Sequence, residues 1–255
     1  MVVEKLADGV SVVIPSKGRA EKIEGAQYFA YAHYVVCEAE RDEYAAAVGA
    51  DRLIVCPNTA EGNIARKRNW VINNIPRPLL MIDDDVKCIR HTERGAQQIR
   101  LNANAARAVI IQGFNLAHDW NVPLWGINVN TDGRNYQQYK PFSLTQMVLG
   151  PFVAHMEHGL QYDERMDTKD DYDISLQALA KYKKILRMNK YSYDCGHGTN
   201  EGGIVAYRTW ERECRACAAI MRKWGSRVVK YKTGESAKKY GDVLNGRVHV
   251  PIAGV

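Results

Sequence analysis

Leu79-Leu80-Met81-Ile82-Asp83-Asp84-Asp85 decides how the rest of the chain is read. Four apolar residues in succession have the length and composition of a strand buried on both faces, as in a parallel sheet covered on two sides by helices. Three carboxylates follow at once. Like charges crowded at a strand end repel one another, so the triplet calls for a compensating cation, most simply Mg²⁺ or Mn²⁺ bridging to a diphosphate. A solvated acidic turn is the plainer alternative, and only the surrounding sequence can choose between them.

Upstream of this stretch the chain alternates short apolar runs with amphipathic ones. Val10 to Pro15, Tyr34 to Cys37 and Arg52 to Cys56 read as strands; Ala20 to Ala32, Arg41 to Val48 and Gly62 to Asn74 read as helices. The alternation predicts an α/β fold with a mostly parallel, Rossmann-like sheet flanked by helices. Such sheets bind ligands at the carboxyl ends of their strands, where Pro15-Ser16-Lys17-Gly18-Arg19, Glu38-Ala39-Glu40-Arg41 and the acidic triplet gather. The pattern has the look of a nucleotide site. It contains no Walker sequence, and no G-x-G-x-x-G follows the first strand, so P-loop enzymes and dinucleotide-dependent dehydrogenases are disfavoured.

Downstream, about Thr92 to Met147 is rich in Asn, Gln and Gly, with Trp120 and Trp125, and reads as strands and loops shaping a cleft. Asp171 to Lys184 and Glu211 to Trp224 have helical spacing. The simplest division is one catalytic domain over 1–205 with a basic helical extension over 206–255 packed on it.

The 255 residues, 46% hydrophobic and 25% charged, suffice for a sizeable core. A formal charge of +6 mildly favours anionic partners. No apolar run approaches the roughly 20 residues that span a bilayer, and Met1 to Asp8 lacks the order of a signal peptide, so a cytoplasmic protein is expected. Six irregularly spaced cysteines are read as reduced, and Cys214-x-x-Cys217, inside a helical pattern and without a second pair, as helix packing.

Two segments flanking the triplet carry a family resemblance. Val10-Ser11-Val12-Val13-Ile14-Pro15-Ser16-Lys17-Gly18-Arg19 resembles the opening strand of GT-A glycosyltransferases, and Asn63-Ile64-Ala65-Arg66-Lys67-Arg68-Asn69 resembles the Ala-Arg-Asn helix before their DxD strand. The resemblance implies that Pro15, Ser16 and Arg19 line a nucleotide pocket and that Glu38 sits near the base. It puts Arg66 near the base or diphosphate, Asp83 or Asp84 near the ribose, and Asp85 on Mn²⁺ or Mg²⁺. Each has a structural alternative: Pro15 can simply end a strand, Glu38 can cap a helix, and Arg66 and Arg68 can be surface charges.

Further on, Tyr162-Asp163-Glu164 and Asp170-Asp171-Tyr172-Asp173-Ile174-Ser175-Leu176 resemble the Tyr-Asp-Glu and Glu-Asp-x-Asp-x-x-Leu pair of inverting GT-A enzymes. A carboxylate held beside an acceptor hydroxyl can take its proton as the oxygen attacks the anomeric carbon. Asp171 is the expected base, with Asp170 its neighbour or substitute; Asp at a helix start is also favoured by capping and the helix dipole alone. His197, in the glycine-rich Asp194-Cys195-Gly196-His197-Gly198-Thr199-Asn200-Glu201-Gly202-Gly203, resembles the late metal-binding His of these enzymes.

Taken together these segments resemble the phage-encoded TET-associated glycosyltransferases. That resemblance implies a nucleotide-sugar donor, with a UDP-sugar expected, and a DNA acceptor carrying 5-hydroxymethylcytosine, its base rotated from the duplex. The tail interleaves Arg208, Arg212, Arg215, Arg222, Lys223, Arg227, Lys230, Lys232, Lys238, Lys239 and Arg247 with Trp210, Trp224, Tyr231 and Tyr240, a composition suited to a nucleic-acid backbone and stacked bases. Three rivals stand beside this reading: a polysaccharide or glycolipid glycosyltransferase of the same fold, a nucleotidyltransferase, and a catalytically silent nucleic-acid-binding module.

Overall fold

The computed structural model describes residues 9–23, 25–93, 97–129, 132–195, 209–230 and 247–248. Its first four strands are β1 (Ser11–Pro15), β2 (His33–Cys37), β3 (Leu53–Cys56) and β4 (Leu79–Ile82). They pair in parallel in the order β3-β2-β1-β4. Two helices alternate with them, α1 (Arg41–Val48) and α2 (Ile64–Asn74). Every residue of β1, β2 and β4 is buried, which explains why apolar side chains run on without alternation: both faces are covered.

Beyond β4 the sheet becomes mixed. β5 (Val86–Thr92), β6 (Gln98–Arg100), β7 (Leu124–Asn128), β8 (Phe142–Ser143), β9 (Phe152–His155) and β10 (Leu186–Cys195) continue it in the order β4-β9-β7-β10-β5-β6, with β8 paired to β10. Because β9 runs antiparallel to both β4 and β7, the turn just before β9 lies at the carboxyl end of β4, and Asp83 N donates to Pro151 O at 3.0 Å.

Alternate residues feed two cores, as the twofold repeat of a strand requires. Val12, Ile14, Leu80 and Ile82 face one side, against Tyr44 of α1 and the apolar stripe of α3 (Ala103–Asp119); Val13, Leu79 and Met81 face the other, with Val71 and Ile72 of α2 and Ile174 and Ala178 of α4 (Asp170–Tyr182). A third cluster, Met166, Tyr172, Leu176, Ile220 and Val229, seats α5 (Trp210–Trp224) on α4. The α/β sheet flanked by helices is thus the expected one. A short ladder of β11 (Val229–Lys230) and β12 (Arg247–Val248) follows α5.

Two segments differ from expectation. Residues 103–119, read as strands and loops, form α3; Ala106, Val109, Ile110, Gly113, Phe114 and Ala117 make a buried helical stripe, and the Asn102 side chain accepts from Ala105 N to cap it. The stripe meets Trp125 at Gly113, where any β-carbon would collide with the indole. Ala20 to Ala32, read as a helix, is a short 3-10 turn at Ala20–Lys22 with turns from 26 to 31. Gly25 adopts φ +76° and packs where a β-carbon would strike the Val86 carbonyl, so chain reversal takes the place of helix propagation.

Candidate active site

At the carboxyl end of β1, a buried polar cradle joins three elements. The Ser16 hydroxyl donates to Asp84, whose other carboxylate oxygen pairs with Arg19. Since that uses the Ser16 proton, Tyr44 of α1 must donate to Ser16 Oγ (2.6 Å) while its oxygen accepts Arg19 N–H at 3.0 Å. Ser16, Arg19 and Asp84 are 3%, 7% and 6% exposed, so this ion pair is a buried, mutually satisfied one. Lys67 donates from Nζ to Ser16 O at 2.7 Å and pairs with Glu61, to which the exposed Lys17 also reaches, at 2.8 Å. Burial opposes the charge on Glu61, but the bonds from Lys17 and Lys67 outweigh it and hold its pKa down at about 2.

At the end of β4 a second group gathers around Arg68, which is nearly fully buried. Its Nη1 donates to Asp170 Oδ2 at 2.7 Å, and its Nη2 to Asp83 Oδ1 at 3.0 Å and Gly150 O at 3.3 Å. One guanidinium thereby ties the acidic triplet after β4 to the acids that open α4. Burial works against the Arg68 charge, and the carboxylates of Asp170 and Asp83 more than offset it, raising its pKa. Burial, with like charge from Asp171, lifts Asp170 to about 6 against the pull of Arg68. Burial and the charges of Asp85 and Asp84 likewise push Asp83 upward, although its side chain keeps partial contact with solvent. Two or three acids sharing one cation leave the corner electronegative.

Asp171 differs from Asp170. It is half-buried rather than buried, and its carboxylate accepts Gly150 N–H at 3.0 Å and Tyr172 N–H at 2.8 Å. Backbone donors aim it without neutralising it, which is the condition a proton acceptor needs. Asp173, two residues on, is fully buried and held by Lys223 (2.9 Å) and Trp224 Nε1 (2.8 Å) of α5, while Lys169 pairs with Glu213 at 3.3 Å. The helix α5 therefore braces the turn that delivers Asp170 and Asp171.

The remaining residues singled out in the sequence fall as follows. Pro15 ends β1 and is buried, next to the cradle. Glu38 is exposed at the first turn after β2. Arg66 is half-exposed and donates to Glu164 at 2.9 Å, so its charge is turned toward the 3-10 turn Glu164–Lys169 that precedes α4 rather than into the cradle. Asp84 points inward at Ser16 and Arg19, and Asp85 is half-buried. His197 lies outside the described residues, among which no group of three His, Cys, Asp or Glu side chains converges as a metal site. Among the described residues no cysteine forms a disulfide. The cations that matter most, Lys67 and Arg68, were not singled out for the pocket. Their signal was present: Arg68 lies on the stripe Ala65, Arg68, Val71, Ile72, where a charged residue must find a buried partner.

No helix among the described residues is long and apolar enough to cross a membrane. No curated protein matches the chain. Among solved structures, the crystal structure of S. aureus TarS 1–349 is similar with a TM-score of 0.48 and 13% identity. The match covers 83% of this chain and 65% of TarS 1–349, so the chain spans less than two thirds of that protein's length. The TET-associated glycosyltransferase family matches residues 10–203, a span that holds both polar clusters and every strand of the main sheet, and the chain belongs to that family.

Proposed function

We propose that this protein transfers a sugar from a nucleotide-sugar donor, a UDP-sugar, to a hydroxyl group, that of 5-hydroxymethylcytosine in DNA. The observation that carries the reading is the Arg68 bridge between Asp83 and Asp170, which brings the donor-type acids after β4 and the acceptor-type acids of α4 to one corner. Family membership supports the reaction class and a DNA acceptor.

In this reading the nucleotide lies over the carboxyl ends of β1 to β4, with Pro15, Ser16, Arg19, Glu38, Asp83 and Asp84 around it and Arg66, paired with Glu164, at its margin. The Ser16, Arg19 and Asp84 network acts chiefly by shaping the cradle floor, because its polar atoms already satisfy one another. Asp171 accepts the acceptor hydroxyl proton while that oxygen bonds to the anomeric carbon. The bond from that carbon to the diphosphate breaks, and the nucleoside diphosphate leaves with the electron pair. Asp170, paired to Arg68, keeps the α4 corner rigid.

The electronegative corner fits a divalent cation, since burial and then the neighbouring charges of Asp85 and Asp84 raise Asp83, and Asp85 sits beside it half-buried. Asp85 would hold Mn²⁺ or Mg²⁺, with His197 as the expected second protein ligand and diphosphate oxygens completing the set. Such an ion supplies charge neutralisation for the leaving diphosphate.

Incubating the protein with a panel of nucleotide sugars, hydroxymethylated DNA and Mn²⁺, then weighing the digested nucleosides, tests the proposal. A mass increase of one sugar on hydroxymethylcytosine is expected; transfer to plain sugars alone would select the polysaccharide rival. Attachment of a nucleotide in place of a sugar would select the nucleotidyltransferase rival, and DNA binding with no transfer the silent binding module.

A further inference from the structure

Beneath α2, on the side away from the cradle, runs a buried polar column that the proposed chemistry does not use. His155, fully buried at the end of β9, places Nδ1 2.9 Å from His158 Nε2 and Nε2 3.0 Å from the Tyr162 hydroxyl. The backbone fixes its direction. Leu160 N–H donates to His158 Nδ1 at 3.1 Å, so that nitrogen carries no proton and His158 Nε2 must. His158 Nε2 then donates to His155 Nδ1, and His155 Nε2 donates to Tyr162 Oη. One amide thus settles two tautomers and the orientation of a phenol. Burial, with Arg77 and Lys181 nearby, lowers the His158 pKa to about 4, and burial beside His158 and Arg68 holds that of His155 well below the ordinary imidazole value, so both rings stay neutral.

The column ends at Arg68. The Arg68 guanidinium carbon lies 5.7 Å from the Tyr162 ring centroid, and the Asn69 side chain holds Tyr162 by both backbone groups, accepting its N–H at 2.7 Å and donating to its carbonyl at 2.9 Å. An aromatic face against a guanidinium is favourable only while the ring keeps its tilt. Asn69 anchors one end of Tyr162 and His155 the other.

We infer that His158, His155 and Tyr162 form a directional hydrogen-bonded strut that holds the Arg68 guanidinium in its bridge between Asp83 and Asp170, making these three positioning residues for the site. The consequence for turnover rests on the glycosyl-transfer reading; the strut itself does not. Losing the Tyr162 hydroxyl frees the ring to tilt, and a small shift of Arg68 moves Asp170 and its neighbour Asp171 relative to the donor, a displacement that can cost about a hundredfold in rate at the extreme.

The test compares Tyr162→Phe, His158→Leu and His158→Gln, the last of which keeps a donor aimed at His155, each first shown to melt cooperatively. Nitrogen-detected NMR of the free protein is expected to show both histidines as Nε2–H tautomers, with Arg68 guanidinium protons exchanging about tenfold faster in Tyr162→Phe. In transfer assays kcat should fall about tenfold in Tyr162→Phe and His158→Leu with donor KM within about twofold, and His158→Gln should recover most of the loss. An Nδ1–H tautomer at either histidine, or unchanged Arg68 exchange in Tyr162→Phe, overturns the strut. Because the NMR arm needs no substrate, a wild-type protein that shows the tautomers but transfers no sugar refutes the reaction and leaves the strut standing.

Discussion

Arg68 Nη1 and Asp170 Oδ2 lie 2.7 Å apart, both nearly fully buried, and the other arm of the same guanidinium reaches Asp83. A buried charge pair contributes little net stability, yet removing one partner leaves the other uncompensated. Arg68→Ala should therefore destabilise the fold by about 3–5 kcal/mol in denaturant titration. Arg68→Lys, a point charge that cannot serve both carboxylates bidentately, should lose activity while recovering part of the stability. Equal stability of Arg68→Ala and wild type would contradict the bridge.

Asp170 and Asp171 should separate by phenotype. Asp171→Asn is expected to leave donor affinity and melting nearly unchanged while slowing transfer about a hundredfold or more, the scale of a lost general base. Asp170→Asn should instead lower stability, because the buried Arg68 loses a charged partner. Kinetics and thermal melts of the two variants, run together, check the assignment; reversed phenotypes would make Asp170 the base.

Asp85→Asn is expected to abolish Mn²⁺-dependent donor binding in calorimetry, whereas Arg66→Ala should weaken it only slightly, since its guanidinium is half-exposed and paired with Glu164. Normal metal-dependent binding by Asp85→Asn would remove that residue from the metal.

The histidine column predicts a pH signature. His158 has a folded pKa of about 4, below the ordinary value near 6.5, so between these values the unfolded chain binds the extra proton. Its contribution to stability is therefore fully present above about 6.5 and is lost as pH falls toward 4, the opposite sign from the raised Asp170. Denaturant titrations of His158→Gln and wild type over that window should converge as pH falls; parallel curves would argue against a neutral, buried His158.

Exposed Arg215 and Arg222 of α5 offer a check on the DNA acceptor. If they meet phosphates, DNA affinity should fall steeply with salt, and each Arg→Ala change should reduce the log-log slope by about 1. A flat salt response in wild type would remove phosphate contact from the account.

Much of this was legible along the chain. The apolar run ending at Asp83-Asp84-Asp85 and the spacing of α2 and α4 identified a parallel half-sheet and the strand end at which its acids gather, because strand and helix periodicities are local properties that packing preserves. The α3 stripe was equally periodic and could have been read; the polar residues around it masked it.

Tertiary structure alone decided what each charge faces. Adjacent Asp83 and Asp84 turn to different cations, Arg68 and Arg19, and in Arg66-Lys67-Arg68 the outer residue pairs at the surface while the other two are buried. Side-chain direction depends on elements distant in sequence, here β9, α4 and the loop after β1, whose approach cannot be inferred from neighbouring residues. A run of like charges announces where a site lies; the partners that fold around it determine which member acts and which one holds the others in place.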